Sequence, residues 1–206
     1  MTAGACPPPG MLIEPPSTPS MPFVAPASRA AILLTATALL LGACKGSSGS
    51  HCGDSSRLRN ELTPVELAQE AADCARRGDL HAAGLRYGLA MAFSTFDNER
   101  AGDGDPPGWK GTRSMLPQLL LRSRLRPEEL AALLNDFKAA TKPGPRHSEF
   151  CSLLRRVGPP VYPLNYAVNE RMEVVRQPAA PERPGFDAQA SWNTVITRVV
   201  ECPPAA

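Results

Sequence analysis

The chain has 206 residues, of which 43% are hydrophobic and 20% are charged. This content is enough for one modest hydrophobic core, so a single folded domain is expected. The formal net charge is +2, and the basic residues are scattered among acidic ones instead of forming a stripe that could bind nucleic acid. The 23 prolines and 16 glycines predict much irregular sequence around the folded part. We therefore expect a small domain with irregular connections and no nucleic-acid partner.

The first 28 residues are rich in Pro, Ser and Thr and have no hydrophobic periodicity. Sequence of this kind forms no packed element. A start at Met21 would leave a signal of ordinary length and would exclude Cys6 from the translated chain. We interpret residues 1–28 as a disordered N-terminus or an over-long start, and we leave them out of the fold.

A short apolar run follows this stretch. Arg29 precedes the uncharged segment 30–43, which is about 14 residues long. A helix that crosses a bilayer permanently needs roughly 20 apolar residues, so this run is too short for one. Segment 29–43 therefore has the features of an export signal, with a thin basic region before an apolar core.

The end of this signal, Leu41-Gly42-Ala43-Cys44, resembles the lipobox of bacterial lipoproteins. An aliphatic residue stands at the third position before the cysteine, and a small residue stands immediately before it. The resemblance implies cleavage between Ala43 and Cys44, diacylglycerol on the Cys44 sulfur, and an acyl chain such as palmitate on its new amino group. Several chains on one residue give stable membrane attachment. Lys45 implies, by the sorting rule of enteric bacteria, a periplasm-facing place at the outer membrane rather than the inner one.

The rest of the chain divides into a tether and a folded domain. Residues 44–58 are rich in Gly and Ser after the lipidated cysteine and predict a flexible tether. Apolar residues at helical spacing recur through 59–206, interrupted by prolines. The sequence therefore predicts a mainly α fold, a small irregular helical domain of about five helices with Pro-rich connections.

The first helix of this domain has a strong start signal. Thr63 can cap the helix, Pro64 stands at the first helical position, and Glu66 completes a capping box. We predict a helix that runs from Pro64 to about Arg77, followed by a second helix over about 80–96.

This pair of helices resembles one tetratricopeptide-type helical hairpin. The first helix matches the family pattern with one large residue and one small residue, and the turn matches it as well. The second helix matches it with a small, an aromatic and another small residue. The matching residues are Leu67, Ala71, Gly78-Asp79, Ala83, Tyr87 and Ala90. Small residues at these positions let two helices approach closely. An ordinary antiparallel helical hairpin explains the same pattern.

The later elements follow from periodicity, start signals and breakers. We predict a loop over 98–111, further helices, a Pro-rich surface segment with at most one helical turn, and a final helix. The helices are expected around 115–120, from Pro127 through Phe137, over Ser148–Val157, and after the cap Asp187 through Val199; the helical turn is expected within Asn165–Glu173. Trp192 of the final helix is predicted to be a core residue.

Four cysteines remain outside the N-terminal and signal regions, an even number in an exported protein. They are Cys52, Cys74, Cys151 and Cys202. The periplasm is oxidising, so disulfides are expected, and three connectivities are possible. We favour Cys52 with Cys74 and Cys151 with Cys202, because these pairs close the shorter loops. Zinc binding is the alternative for four cysteines, but there is no CxxC pair and thiolates would oxidise in this compartment.

The search for catalytic chemistry gives no assigned catalytic residue, metal ligand or cofactor. His147 adjoins Ser148, but no GxSxG elbow presents that serine, and helix capping explains it. Pairing of His147 with a Cys151 nucleophile would require a reduced thiol. An acidic pair of the glycosidase type would require some of four acids to converge in space. These acids are Glu128, Glu129, Asp136 and Glu149.

The expected function is therefore non-enzymatic binding of an envelope protein or peptide by a membrane-anchored domain. Two versions remain open, an accessory lipoprotein of an envelope machine and an immunity lipoprotein that neutralises a toxic effector. A protruding loop over 102–109 would favour the second. A small periplasmic hydrolase is the alternative class, and a cleft that holds His147 with acids would favour it.

Overall fold

The computed structural model describes residues 52–101, 112–168, 173–176, 178–199 and 201–203. These residues form a mainly helical domain, as the sequence predicts. In chain order the elements are a 3-10 turn (Ser55–Arg57), α1 (Pro64–Arg76), α2 (Leu80–Ala101), α3 (Thr112–Arg124), α4 (Pro127–Ala140), α5 (Pro145–Val157), β1 (Tyr166–Val168), β2 (Val174–Arg176) and α6 (Ala188–Val199). None of the helices in these ranges combines the length and apolar character that a bilayer span requires.

The predicted helix starts are confirmed where a cap was identified. At α1, Thr63 Oγ1 accepts the Glu66 N–H at 3.3 Å, and the Glu66 carboxylate accepts the Thr63 N–H at 2.8 Å. At α6, Asp187 Oδ1 accepts the Ala190 N–H at 2.9 Å. These bonds satisfy backbone donors that the first helical turn leaves without an intrahelical partner.

Two predicted boundaries differ from the structure. Helix α2 continues to Ala101 instead of ending near Phe96, because its last polar residues pack against later segments instead of entering a loop. Helix α5 begins at Pro145, whose fixed φ suits the first helical position. Ser148 is therefore inside α5 and does not cap it; Gly144 stands at the cap position.

The predicted tether also ends earlier than residue 58. Cys52 is joined to Cys74 by a disulfide, and Leu58 is buried. Asp54 accepts the Ser56 N–H at 3.0 Å and thereby caps the 3-10 turn. Residues 52–58 thus belong to the folded domain.

In its described residues the Pro-rich segment contains two short strands, where at most one helical turn was predicted within Asn165–Glu173. Strands β1 and β2 pair antiparallel, with Tyr166 opposite Arg176 and Val168 opposite Val174. Aromatic and β-branched residues favour extended chain, and strands of three residues are too short to show a clear alternating pattern. The segment before β1 is also not confined to the surface, since Tyr162 is buried.

The core is built around α2, which packs against α1, α3, α4 and α6. Alanines that are fully buried line the contact between α1 and α2, and Gly78, with φ of +81°, makes the turn that joins them. Farther along α2, Phe93 and Phe96 pack against Trp192 of α6, with ring centroids 5.5 and 6.1 Å away. The expectation that Trp192 is a core residue is confirmed.

Both disulfides favoured from loop length are present in the structure. Cys52 pairs with Cys74 of α1, and Cys151 of α5 pairs with Cys202. The Cα atoms of the two pairs are 5.5 and 5.6 Å apart. A bridge of this kind typically contributes about 2–4 kcal/mol to stability.

Two aromatic side chains pack directly against the backbone of α2 at Gly88. A Cβ atom there would lie 2.0 Å from Cζ of Phe150 and 2.8 Å from Cε2 of Phe137. These two rings pack edge-on, with centroids 5.9 Å apart, so neither can move without disturbing the other. The two rings can pack here because Gly88 has no side chain.

We expect Gly88→Ala to lower the free energy of unfolding by about 1–3 kcal/mol through overpacking, although alanine is the better helix former by about 1 kcal/mol. Urea unfolding followed by circular dichroism measures the change. Gly84→Ala is the matched control on the same helix, because its Cβ would lie 3.3 Å from the end of the Asp136 side chain. It should shift the free energy by less than about 1 kcal/mol. Equal losses in both variants would contradict the packing argument.

Candidate functional site

A group of buried charged and phenolic side chains lies where the end of α2 meets the chain that follows α5. Asp97 is fully buried. Tyr162 Oη donates a hydrogen bond to Asp97 Oδ2 at 2.8 Å, and Tyr166 Oη donates to the same oxygen. Arg100 Nη2 forms an ion pair with Asp97 Oδ1 at 2.9 Å. These four residues and the buried Arg113 of α3 are called the Asp97 cluster.

Local geometry explains how the cluster forms. Asp97 and Arg100 are three positions apart on α2, so their side chains are neighbours on one face. Tyr162 and Tyr166 lie in or next to extended chain, where residues separated by even intervals share a face. Leu164, between them, is buried as well. The extended segment therefore presents both phenol groups to the end of α2.

Burial controls the protonation of the cluster. It raises the pKa of Asp97, while the Arg100 guanidinium and the two tyrosine hydroxyls act in the opposite direction. Burial, together with the neighbouring Asp97 carboxylate, raises the pKa of Tyr162 and of Tyr166 well above the usual range. Both phenols are thus protonated hydrogen-bond donors at neutral pH. The arrangement is suited to holding chain segments and charges in place, not to nucleophilic attack by a phenolate.

A cleft of about 420 Å³ opens beside the cluster. Its walls come from two stretches of irregular chain, residues 160–164 and 179–182, and expose polar and apolar surface in nearly equal parts. Val161, on one wall, is 62% exposed. Arg100 contributes the cationic part of the lining. We call this feature the Arg100 cleft.

The Arg100 guanidinium is fixed in position at the cleft. Its Nη1 donates to the Tyr162 carbonyl oxygen at 3.0 Å, and its Cζ lies 5.0 Å from the Tyr162 ring centroid. The same Nη1 is 3.7 Å from Oε1 of Glu182, a side chain that is 58% exposed. A guanidinium held in this way loses little conformational entropy when it binds a carboxylate.

Backbone hydrogen bonds hold the two walls of the cleft together. The Ala180 N–H donates to the Leu164 carbonyl oxygen, and the Arg183 N–H donates to the Arg100 carbonyl oxygen, both at 2.9 Å. The second bond anchors one wall directly to the end of α2. The cleft is consequently a preformed part of the fold, as binding sites usually are.

The residues considered for catalysis from sequence do not converge on one site. Cys151 is in a disulfide, so it has no thiol to act as a nucleophile, and the Cys151–His147 hypothesis is wrong for this state. The four acids pair with three basic residues. The pairs of Asp136 and Glu149 lie near each other, because Arg146 and His81 both lower the pKa of Asp136, and Asp136 and Glu149 both raise the pKa of Arg146. Glu128 and Glu129 bond Arg126, Asp136 bonds Arg146, and Glu149 bonds His81. The Asp136–Arg146 bond lowers the pKa of Asp136, which is therefore ionised at neutral pH.

Several sequence predictions lie outside the described residues. They are the lipobox with Ala43 and Cys44, the apolar signal before it, and the loop over 102–109. The tetratricopeptide resemblance concerns described residues, and α1 and α2 do form a hairpin. Whether that hairpin belongs to the tetratricopeptide family stays a prediction.

Sequence reasoning did not identify the Asp97 cluster. The sequence predicts a loop from Asn98 onward, a range that includes Arg100. One signal was available, the spacing of Asp97 and Arg100 next to the apolar Phe93 and Phe96. An acid and a base one turn apart at the end of an apolar stripe indicate a buried ion pair when a later segment covers them.

Tyr162→Phe and Tyr166→Phe each remove one donor to Asp97 Oδ2 while keeping the ring. We expect each to lower the free energy of unfolding by about 1–3 kcal/mol, as measured by urea denaturation. The double variant should lose more than the sum, because the remaining phenol still satisfies the oxygen in each single variant. Tyr87→Phe is the control, since Tyr87 is buried on α2 about 15 Å along the helix axis from Asp97. Losses no larger than in that control would rule out the shared acceptor.

Comparison with known proteins gives no relative from which a function could be inferred. No protein-family model, curated protein or solved structure matches the chain. The two resemblances seen in the sequence, to lipoproteins and to a tetratricopeptide hairpin, therefore remain those of short motifs.

Proposed function

We propose that the chain is a lipid-anchored lipoprotein of the bacterial cell envelope, held in the membrane through Cys44, whose helical domain binds a protein or peptide without catalysis. The main support for the location is that every cysteine downstream of the lipobox is in a disulfide. Disulfides persist in the oxidising periplasm and are rare in the cytosol. The lipobox and the paired cysteines thus favour the same compartment, with the outer membrane preferred from Lys45.

The length of the connecting chain sets how far the domain could stand from the bilayer. Residues 45–51 separate Cys44 from Cys52, the first described residue of the folded domain. A fully extended chain of this length spans at most about 25 Å. In this proposal the domain works close to the membrane surface, and its partner is another envelope component.

The Arg100 cleft is the proposed contact surface for that partner. Its walls are irregular chain that includes the apolar side chains of Val161 and Leu164, and its cation is fixed by Asp97 and by the Tyr162 carbonyl oxygen. Glu182 already brings a carboxylate to 3.7 Å from this cation while remaining largely exposed. A partner segment that carries a carboxylate beside apolar side chains would displace Glu182 and complement both features.

The anchor is tested with Cys44→Ala. We expect the variant to lose labelling by a radioactive or clickable fatty acid and to leave the membrane fraction, because the acylated sulfur and the new amino terminus are both absent. Cys6→Ala is the control and should be labelled like the native chain. A Cys44→Ala product that is still lipid-labelled and membrane-bound would refute the assignment.

The contact surface is tested by photocrosslinking in intact cells. A photoreactive amino acid at Val161 should give a discrete adduct with an envelope protein, while the same probe at Met115 should not. Both residues are exposed, Val161 at 62% and Met115 at 50%, so reactivity with bulk solvent is comparable. Adding Glu182→Ala should increase the adduct at Val161, because it removes the internal competitor for Arg100. Identical products from both probe positions, or none from Val161, would contradict binding at the cleft.

The identity of the adduct separates the two versions of the proposal. Capture of a secretion, pilus or outer-membrane assembly component would favour an accessory role. Capture of a toxic effector would favour an immunity role.

A further inference from the structure

Three metal-ligating side chains meet where α5 contacts the chain that follows α6. His147 and Cys151 are four residues apart on α5 and therefore share a face of that helix. Cys202 reaches the same place from beyond α6. All three are buried, with exposures of 8%, 2% and 3%. One ligand atom from each residue lies within 4.8 Å of the other two.

The positions are close to those of a tetrahedral zinc site. With Zn–S near 2.3 Å and Zn–N near 2.0–2.1 Å, a tetrahedral angle separates a ligand nitrogen from a ligand sulfur by about 3.5 Å and two sulfurs by about 3.8 Å. His147 Nε2 is already 3.7 Å from Cys151 Sγ. Only the two sulfurs are too close, because they are bonded to each other. Breaking that bond and rotating the Cys202 side chain would complete the three-ligand geometry.

Contacts other than the disulfide keep Cys202 near α5. Its N–H donates to the Ile196 carbonyl oxygen at 3.4 Å, and the Arg155 guanidinium of α5 donates to the Pro203 carbonyl oxygen. These bonds do not depend on the oxidation state of the sulfurs. The thiol of Cys202 would therefore remain beside Cys151 after reduction, and little ordering would be needed to bind a cation.

We propose that reduction of the Cys151–Cys202 disulfide creates a metal site in which Cys151, Cys202 and His147 bind one Zn²⁺-class cation. A dithiol reductant of the thioredoxin class supplies two electrons and two protons, becomes a disulfide itself, and leaves two thiols on this chain. Metal binding then releases the two thiol protons and forms two metal–thiolate bonds and one bond to the imidazole. Three protein ligands leave a fourth position for water or an external ligand. At these three residues the oxidised chain offers only the imidazole, so metal binding at this site requires the reduced state.

The other disulfide provides an internal comparison. Cys52 and Cys74 have the same Cα separation within 0.1 Å, but the group beside the Cys52 sulfur is the Arg77 guanidinium, at 3.0 Å. A guanidinium is always charged and has no lone pair to give a metal. Within the described residues, reduction there would yield two thiols that belong to no group of three metal-ligating side chains. This inference does not depend on the proposed lipid anchor or partner.

The test uses the full-length chain in detergent, reduced with a phosphine and titrated with Co²⁺. Cobalt takes zinc sites, and thiolate ligation gives it intense near-ultraviolet absorption. We expect one equivalent of Co²⁺ to bind the reduced chain with this absorption, Zn²⁺ to displace it, and the oxidised chain to show neither. Cys52→Ser/Cys74→Ser should behave like the native chain, and Cys151→Ser/Cys202→Ser, which keeps Cys6 and Cys44, controls for those two thiols. Cys151→Ser/Cys202→Ser should lose the absorption.

A second variant keeps the test decisive if removing the disulfide unfolds the domain. His147→Gln retains both thiols and the disulfide, and it should weaken Co²⁺ binding by at least about tenfold because one ligand is lost. Circular dichroism before titration checks that each variant is folded. Binding by the oxidised chain, unchanged affinity in His147→Gln, or persistence of the thiolate absorption in Cys151→Ser/Cys202→Ser would each overturn the proposal.

Discussion

The buried carboxylate of Asp97 is the interaction on which the arrangement of the C-terminal half depends. Its two oxygens receive hydrogen bonds from Tyr162 and Tyr166 and an ion pair from Arg100. A carboxylate that is removed from water needs such partners, and they have to come from more than one segment. The extended chain after α5 is therefore attached to the end of α2 by polar bonds as well as by apolar packing. The Arg100 cleft exists because that attachment fixes both the guanidinium and the wall beside it.

Helix α2 links this polar region to the remainder of the domain. Toward its N-terminal end it is packed closely by α1, and at Gly88 it admits the Phe137–Phe150 pair. Arg86, also buried, bonds Glu70 of α1 and the Cys52 carbonyl oxygen. A single helix thus organises an alanine-rich contact, an aromatic contact and an ionic contact along its length. Each contact depends on side-chain size or charge at a few α2 positions.

The sequence predicted the parts of the fold that are specified locally. Thr63, Pro64 and Glu66 define the start of α1 by bonds within one helical turn, and Asp187 does the same for α6. The disulfide pairing followed from loop length. The extension of α2 past Phe96 and the pairing of β1 with β2 could not be predicted in this way, because both depend on distant partners. Asp97 is held by residues 65 and 69 positions later in the chain, and a local window contains neither tyrosine.

The Cys52–Cys74 disulfide determines how the domain responds to a pull on the chain that precedes it. Force applied N-terminal to Cys52 passes through the sulfur bridge into α1 at Cys74, so the 3-10 turn and the first turns of α1 lie within a closed loop that bears no tension. The bond from Arg86 to the Cys52 carbonyl oxygen adds a second attachment at the same point, on α2. These attachments oppose stepwise unfolding from the N-terminal end of the domain. Force is therefore applied to α1 and α2 together.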